Sequence, residues 1–343
     1  MPQGPRVAPL ASAVPARLLA SGPVPSRRRI PRRHRPATNE RARVLVLGDL
    51  VVDVVLAPVG ELVVGSDVPG RVMLRQGGSA TTTARWLGRG GARVGLIAAV
   101  GRDAAGRGLV ETIRADGVTP RVVRLPGART GRIGVLVAPG GERSFVQDRA
   151  AALRLAPEHL REDWFVGAEL LHLPAYSLLD PPLGDAGRHA AEMTHRAGGL
   201  VTVDIASSSP LLAIGRRAAL DAIRGAAPDL LFAAGSEALA LAATEEALLD
   251  LANVVVLKRG SAGATLLFRE GTRLLRLDLA TKAVAPTDTT GAGDAFDAGF
   301  ILAWLAARRE GVGLAAGLRR GVLAGHRVAT RHLLAPREEL ALG

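Results

Sequence analysis

An aspartate that follows three small residues and opens an apolar stretch is the arrangement in this sequence best suited to chemistry. Residues 288–296 read Asp-Thr-Thr-Gly-Ala-Gly-Asp-Ala-Phe. Gly291, Ala292 and Gly293 leave the backbone almost bare, so successive N–H groups can crowd around an anion. Residues 294–309 (DAFDAGFILAWLAARR) alternate apolar and small residues at helical spacing, which predicts a helix. The glycines therefore fall at a helix N-terminus, where unpaired N–H groups and the macrodipole favour negative charge. Asp294 lies in the first turn of that helix. A carboxylate beside a bound phosphate is repelled, so its placement points to a chemical role. The role that fits is a general base, which takes a proton from a hydroxyl attacking phosphorus. The four residues Gly-Ala-Gly-Asp alone read equally as a glycine-rich turn with an N-capping aspartate.

Other groups must meet this loop if it is to act. Gln76-Gly77-Gly78-Ser79 enters a predicted helix lined by the hydroxyls of Thr81, Thr82 and Thr83, with Ser79 placed to cap it. Asp53 follows a short apolar run, Arg43–Leu47, and a carboxylate at the carboxyl end of a strand lies where α/β proteins bind ligands. It can accept two hydrogen bonds from vicinal hydroxyls; a surface-turn aspartate is the plainer reading. Two common phosphate-handling solutions are absent. Lys258 and Lys282 follow Leu257 and Thr281, so no Walker-type Gly-Lys pair exists, and no His-Arg-Asp or Asp-Phe-Gly triplet occurs. His189, Glu192 and His195 share helical spacing but read as a solvated face, and His172 falls in or beside a strand.

Strand–helix alternation supplies the scaffold. Strands are expected at 43–49, 93–99, 169–173, 200–205, 229–232 and 253–258, with helices at 79–90, 104–116, 183–197, 215–224 and 236–250. The fold class is α/β, with a doubly wound, mostly parallel central sheet and helices on both faces. Two stretches break the pattern. Residues 51–75 and 130–147 are β-rich, and the second pair of strands turns at Pro139-Gly140-Gly141. Together they predict a small β-sheet lid, which suits an enzyme that must keep water from a phosphoryl group.

The nine-residue loop resembles the C-terminal signature of the ribokinase-type (PfkB) carbohydrate kinases. Residues 76–92 resemble that family's N-terminal signature, and the resemblance spans about residues 43–335. It implies an ATP- and Mg2+-dependent kinase with Asp294 as base and the backbone of Gly291, Ala292 and Gly293 as anion hole. It further implies sugar contacts from Asp53, Gly77, Gly78, Ser79 and Thr82. Lys258, Gly260 and Gly263 fall in a segment similar to the family's ATP-site loop, and Thr290 joins them on the nucleotide side. Glu237 matches an acid that helps organise magnesium, and Asp288 matches a residue near a monovalent cation such as K+. Three family asparagines are missing: their positions read Thr82, Ala152 and Ala234. The expected substrate is a small sugar. A nucleoside such as adenosine or pseudouridine is the alternative, and a catalytically weak binding protein on the same fold is another. The lid is a candidate surface for a homodimer.

Composition narrows the partners. Of the net charge of +12, residues 1–43 contribute +9, from ten arginines against Glu40. The basic balance is therefore local, and nucleic acid is not expected as a partner. Residues 1–42, rich in Arg, Pro and Ala, read as a disordered extension ahead of a kinase domain at 43–343. No cysteine is present and no run of about 18 apolar residues occurs, which excludes disulfides and suits a cytoplasmic location away from membranes.

Overall fold

The computed structural model describes residues 41–340, except 139, 141, 243, 285–287 and 337. The expected extension lies outside the described residues but for its last two, and so do two residues of the Pro139-Gly140-Gly141 turn.

Along the chain, β1 (Arg43–Leu47) leads to a hairpin of β2 (Val51–Pro58) and β3 (Gly70–Gly77), then helix α1 (Ser79–Arg89). Strand β4 (Arg93–Gly101), helix α2 (Ala104–Ala115) and strand β5 (Val118–Leu125) precede a second hairpin, β6 (Arg132–Val137) and β7 (Arg143–Asp148). Next come β8 (Leu170–Pro174), α3 (Leu183–Arg196), β9 (Leu200–Asp204), α4 (Ser208–Ala213), α5 (Arg216–Gly225), β10 (Leu230–Ala234) and α6 (Gly235–Leu241). A meander of β11 (Val254–Lys258), β12 (Ala264–Glu270) and β13 (Arg273–Leu279) is followed by α7 (Ala292–Arg309) and α8 (Leu314–Leu334).

Nine strands form one sheet in the order β13-β12-β11-β10-β9-β8-β1-β4-β5. Neighbours from β11 to β5 run parallel, and β12 and β13 are added antiparallel. Alternation within the strands makes the sheet two-faced. Leu45, Leu47, Leu171 and Val201 pack in one buried cluster with Ala186 and Ala190 of α3 and Ile223 of α5. Val44, Val46, Leu170 and Phe232 pack in another with Leu87 of α1, Phe300 of α7 and Val322 of α8. Strands buried on both faces belong under two layers of helix, which is the doubly wound arrangement expected. The two hairpins leave this body and pair as a separate four-stranded sheet, β3-β2-β6-β7, as the lid reading required.

The helix expected over 236–250 is interrupted. α6 ends at Leu241, Ala242 takes an extended backbone, and a short 3-10 turn spans Glu246–Asp250. Between them Glu245 pairs with Arg259 at 2.7 Å and with Arg276 at 3.1 Å.

Candidate active site

The carboxyl ends of the parallel strands converge on one cleft of about 950 Å3. Asp204 ends β9, Ala234 ends β10 and Lys258 ends β11, and all three line it, as does Asp49 two residues beyond β1. Chain order reverses between β1 and β8, and such a switch point is where open α/β sheets leave a crevice for ligands. The lid roofs the cleft through alternate residues: Asp53 and Val55 of β2, Ile133 and Val135 of β6, Arg143 and Phe145 of β7.

α7 opens at the cleft. Gly291 is its N-cap in the left-handed region, at φ 78°, and a Cβ there would lie 3.0 Å from His332 Nε2. The N–H groups of a first helical turn have no intrahelical acceptor, so this terminus offers donors to an anion. The Ala292 N–H differs from the expectation: it donates to the Thr289 carbonyl at 3.2 Å and must share its proton with any phosphate. Asp294 also lines the cleft, and the Ser79 hydroxyl donates to its Oδ1 at 2.6 Å. Burial pushes the Asp294 carboxyl up to about 7, against the lowering effect of the Ser79 hydrogen bond, with Asp204 adding to the rise. A carboxyl poised there can take a proton near neutral pH.

Asp53 is also raised to about 7, first by burial, with Arg75 opposing and Asp294 adding. The paired glycines before α1 let the Asp49–Asp53 segment approach. A Cβ on Gly77 would lie 1.9 Å from Asp53 Oδ1, and one on Gly78, at φ 101°, would lie 2.2 Å from the Asp49 carbonyl. The Asp49 carboxylate is held by Arg149 in a two-pronged pair, 2.7 and 2.8 Å, which leaves Asp53 better placed to accept from a ligand in the cleft. Thr82 sits where the family has asparagine. Its hydroxyl donates back to the Gly78 carbonyl at 3.1 Å and its methyl faces the Gly291 loop.

Lys258 lies under the loop, where a Cβ on Gly293 would come within 3.2 Å of its ammonium. That ammonium donates to Asp204 at 2.8 Å and to Asp297 at 3.3 Å. Burial by itself would lower Lys258, but these two carboxylates outweigh it and hold the lysine above its ordinary range. Asp297 is buried and raised well above a normal carboxyl, first by burial and then by Asp204. Glu237 faces the same cleft, caps α6 by accepting the Ala234 N–H at 2.7 Å, and is raised by burial. Gly260 lines the cleft, whereas Gly263 does not. The freedom of Gly263 is needed elsewhere, because a Cβ would lie 2.1 Å from the Leu279 carbonyl.

Asp288 is engaged differently from the expectation. Arg75 reaches it at 3.2 Å from β3 and Arg143 at 2.8 Å from β7, while its Oδ1 caps the Thr290 N–H at 2.9 Å. His332 of α8 completes the loop's support. Trp86 Nε1–H donates to its Nδ1 at 2.9 Å, which leaves the proton on Nε2 to be donated to the Thr290 carbonyl at 2.7 Å. Sequence reasoning missed Asp297, His332 and the arginine pair. Only Asp297 carried a usable signal, since it stands one helical turn beyond Asp294 on the same predicted helix. His172 sits in β8, fully buried against Thr202, and burial lowers it to about 4, so it is neutral. His189 pairs with Glu192 at 3.7 Å on an open helical face, and His195 with Asp229 at 3.2 Å.

Known proteins resemble this chain along most of its length. Residues 41–339 match the family described as pfkB family carbohydrate kinase. A fructokinase of Klebsiella pneumoniae is 32% identical over 277 residues, covering 77% of this chain and 85% of that protein. The crystal structure of an adenosine kinase from Sinorhizobium meliloti superposes with a TM-score of 0.72 at 25% identity, covering 88% of this chain and 98% of that one. An uncharacterised sugar kinase of Pyrococcus horikoshii, solved in complex with ATP, has a TM-score of 0.71 at 22% identity, covering 84% and 92%. The ribokinase-like fold is common to these structures. No helix among the described residues is long and apolar enough to cross a membrane.

Proposed function

The chain belongs to the pfkB family of carbohydrate kinases, ATP-dependent enzymes acting on sugars or nucleosides, and on that premise we propose that it phosphorylates a hydroxyl of a small sugar, with Asp294 as the general base. One observation carries the reading: a cleft-lining carboxyl that accepts the Ser79 hydroxyl at 2.6 Å stands in the first turn of α7, within the same cleft as a second carboxyl at Asp53. In this mechanism Asp53 accepts hydrogen bonds from the sugar, with the backbone of Gly77 and Gly78 beside it, and Ser79 holds Asp294 in place. Asp294 takes the proton of the attacking hydroxyl. The amides at 291–293 face the charge that gathers on the transferred phosphoryl group. The Lys258 ammonium adds fixed positive charge beneath them, and the lid keeps water from competing as acceptor.

ATP would lie along Gly260, Lys258 and Thr290. Magnesium fits this donor set as an ion held chiefly by the ATP phosphates and water, with Glu237 as its protein acid. Among the described residues no cluster of three or more metal-binding side chains exists, and Mg2+ commonly uses one or two carboxylates beside phosphate oxygens. When bound, it neutralises phosphate charge.

A nucleoside acceptor is the second reading. Phe145 lines the cleft and is 50% exposed, a face on which a base can stack. Pairing of two chains through the lid is proposed on a separate observation: Leu56, Val72 and Val146 are exposed on the lid, and Leu56 and Val72 are directly opposite in register. The test is a panel of ribose, fructose, other sugars, adenosine and pseudouridine with ATP and Mg2+. Phosphorylation of a sugar supports the first reading, phosphorylation of a nucleoside alone replaces it with the second, and no turnover on the whole panel sinks both.

A further inference from the structure

The monovalent cation that the family resemblance implies at Asp288 does not fit the donors found there. An alkali cation needs several oxygen ligands. At Asp288 it would meet two guanidinium groups instead, one at each carboxylate oxygen: Arg75 on Oδ2 and Arg143 on Oδ1. Oδ1 also accepts the Thr290 N–H, and two residues along the loop the Thr290 carbonyl accepts from His332. Arginine stays charged at any pH a protein survives. Two permanent positive charges already engage both oxygens of this carboxylate, which leaves it poorly placed to ligate a further cation.

The origin of the two arginines adds a second point. Arg75 belongs to β3 and Arg143 to β7, and these are the opposite edges of the lid sheet. Their side chains are 22% and 12% exposed, so both guanidinium groups are held well inside the cleft wall. Arg143 also donates to the Thr289 hydroxyl at 3.3 Å. Both edges of the lid therefore fasten to the segment that leads into the anion hole.

We propose that Arg75 and Arg143 take the place of a monovalent cation, so that the lid itself delivers the positive charge that orients the 288–294 loop and the enzyme needs no alkali ion. This rests on the kinase reading above. The part played by the two arginines is positional: they act through Asp288 on the loop.

The experiment compares potassium chloride with tetramethylammonium chloride at equal ionic strength, with ATP and magnesium supplied free of alkali ions. Wild-type turnover is expected to be the same in both salts. Its melting temperature, measured without substrate, is also expected to be the same, since an ion bound only to the folded state would raise it. In Arg75→Gln/Arg143→Gln, turnover is expected to fall by roughly tenfold or more in tetramethylammonium, the scale on which charge-assisted contacts to a catalytic loop act. Potassium is expected to restore much of that loss and to raise the variant's melting temperature. Stimulation of wild type by potassium, or a higher wild-type melting temperature in potassium, overturns the proposal. A double variant with full turnover in tetramethylammonium, or one that potassium does not rescue, overturns it as well. Should the double variant not fold, Arg143→Gln carries the same comparison. A wild type without turnover in either salt would fail the kinase reading, and the melting temperatures would then decide the cation question by themselves.

Discussion

Replacing Asp294 by asparagine is expected to make the protein more stable at neutral and alkaline pH. Burial raises the Asp294 carboxyl from its ordinary 3.8 to about 7, with the Ser79 hydrogen bond opposing. The folded state thus holds this proton more tightly than the unfolded chain. The carboxyl's stabilising contribution is whole below 3.8 and is lost as pH rises through about 7. At about 1.36 kcal/mol for each pH unit across that gap, the loss reaches about 4 kcal/mol. Asparagine cannot ionise, and its carbonyl oxygen can still accept from Ser79. Its amide brings a desolvation cost of about 2 kcal/mol, which leaves a net gain of about 2 kcal/mol above pH 7. For a chain of this size that is a rise of roughly 3 to 6 °C. Melting temperatures of both proteins would be followed from pH 5 to pH 9. The variant is expected to lead by a few degrees at pH 8, and its lead is expected to vanish near pH 5. A variant less stable than wild type at pH 8, or a lead that stays constant down to pH 5, would refute the idea that Asp294 is a buried carboxyl forced to ionise.

Three further outcomes follow from the same geometry. The rate kcat/KM is expected to climb about tenfold for each pH unit below 7 and to level above it, because Asp294 must be ionised to take a proton; a profile flat from pH 5.5 to pH 8 would contradict this. Gly77→Ala puts a methyl into the Asp53 carboxylate, so KM for the sugar is expected to rise about tenfold or more with a smaller effect on kcat, a shift of over about 1.4 kcal/mol in binding; unchanged steady-state kinetics would remove Asp53 from the sugar site. Lys258→Met leaves Asp204 and Asp297 buried without their counter-ion, so the urea midpoint is expected to correspond to a loss of about 3 kcal/mol. That loss is expected to shrink in acid, and equal stability at pH 7 would argue against the buried ion network.

The parts of this molecule that speak in one-dimensional patterns were legible from the sequence. Strands such as Arg43–Leu47 and Val254–Lys258 are short apolar runs because both of their faces are covered. The glycines at 77, 78, 291 and 293 are where a carboxylate, a carbonyl, an imidazole and an ammonium come close, so the two signatures fall at points of tight backbone contact. The lid was readable because β2, β3, β6 and β7 interrupt the alternation of strand and helix. What was not legible depends on pairs far apart in the chain. Arg75 meets Asp288 across 213 positions, Arg143 comes to it from a different hairpin, and nothing local marks either arginine. His332 reaches Thr290 from the end of α8, 42 positions along the chain. The break after α6 was hidden for a similar reason. Its sequence favours helix, and the partners that Glu245 meets there, Arg259 and Arg276, lie on other elements.

The central claim is that Asp294 is the base and not merely a buried acceptor for the Ser79 hydroxyl. The direct measurement is kcat together with the dissociation constant for one accepted sugar, compared between wild type and Asp294→Asn at pH 8. The expected result is that kcat falls by about a hundredfold or more, the scale of general-base catalysis, while the sugar binds within a few-fold of wild type. A variant with kcat near that of wild type would contradict the claim.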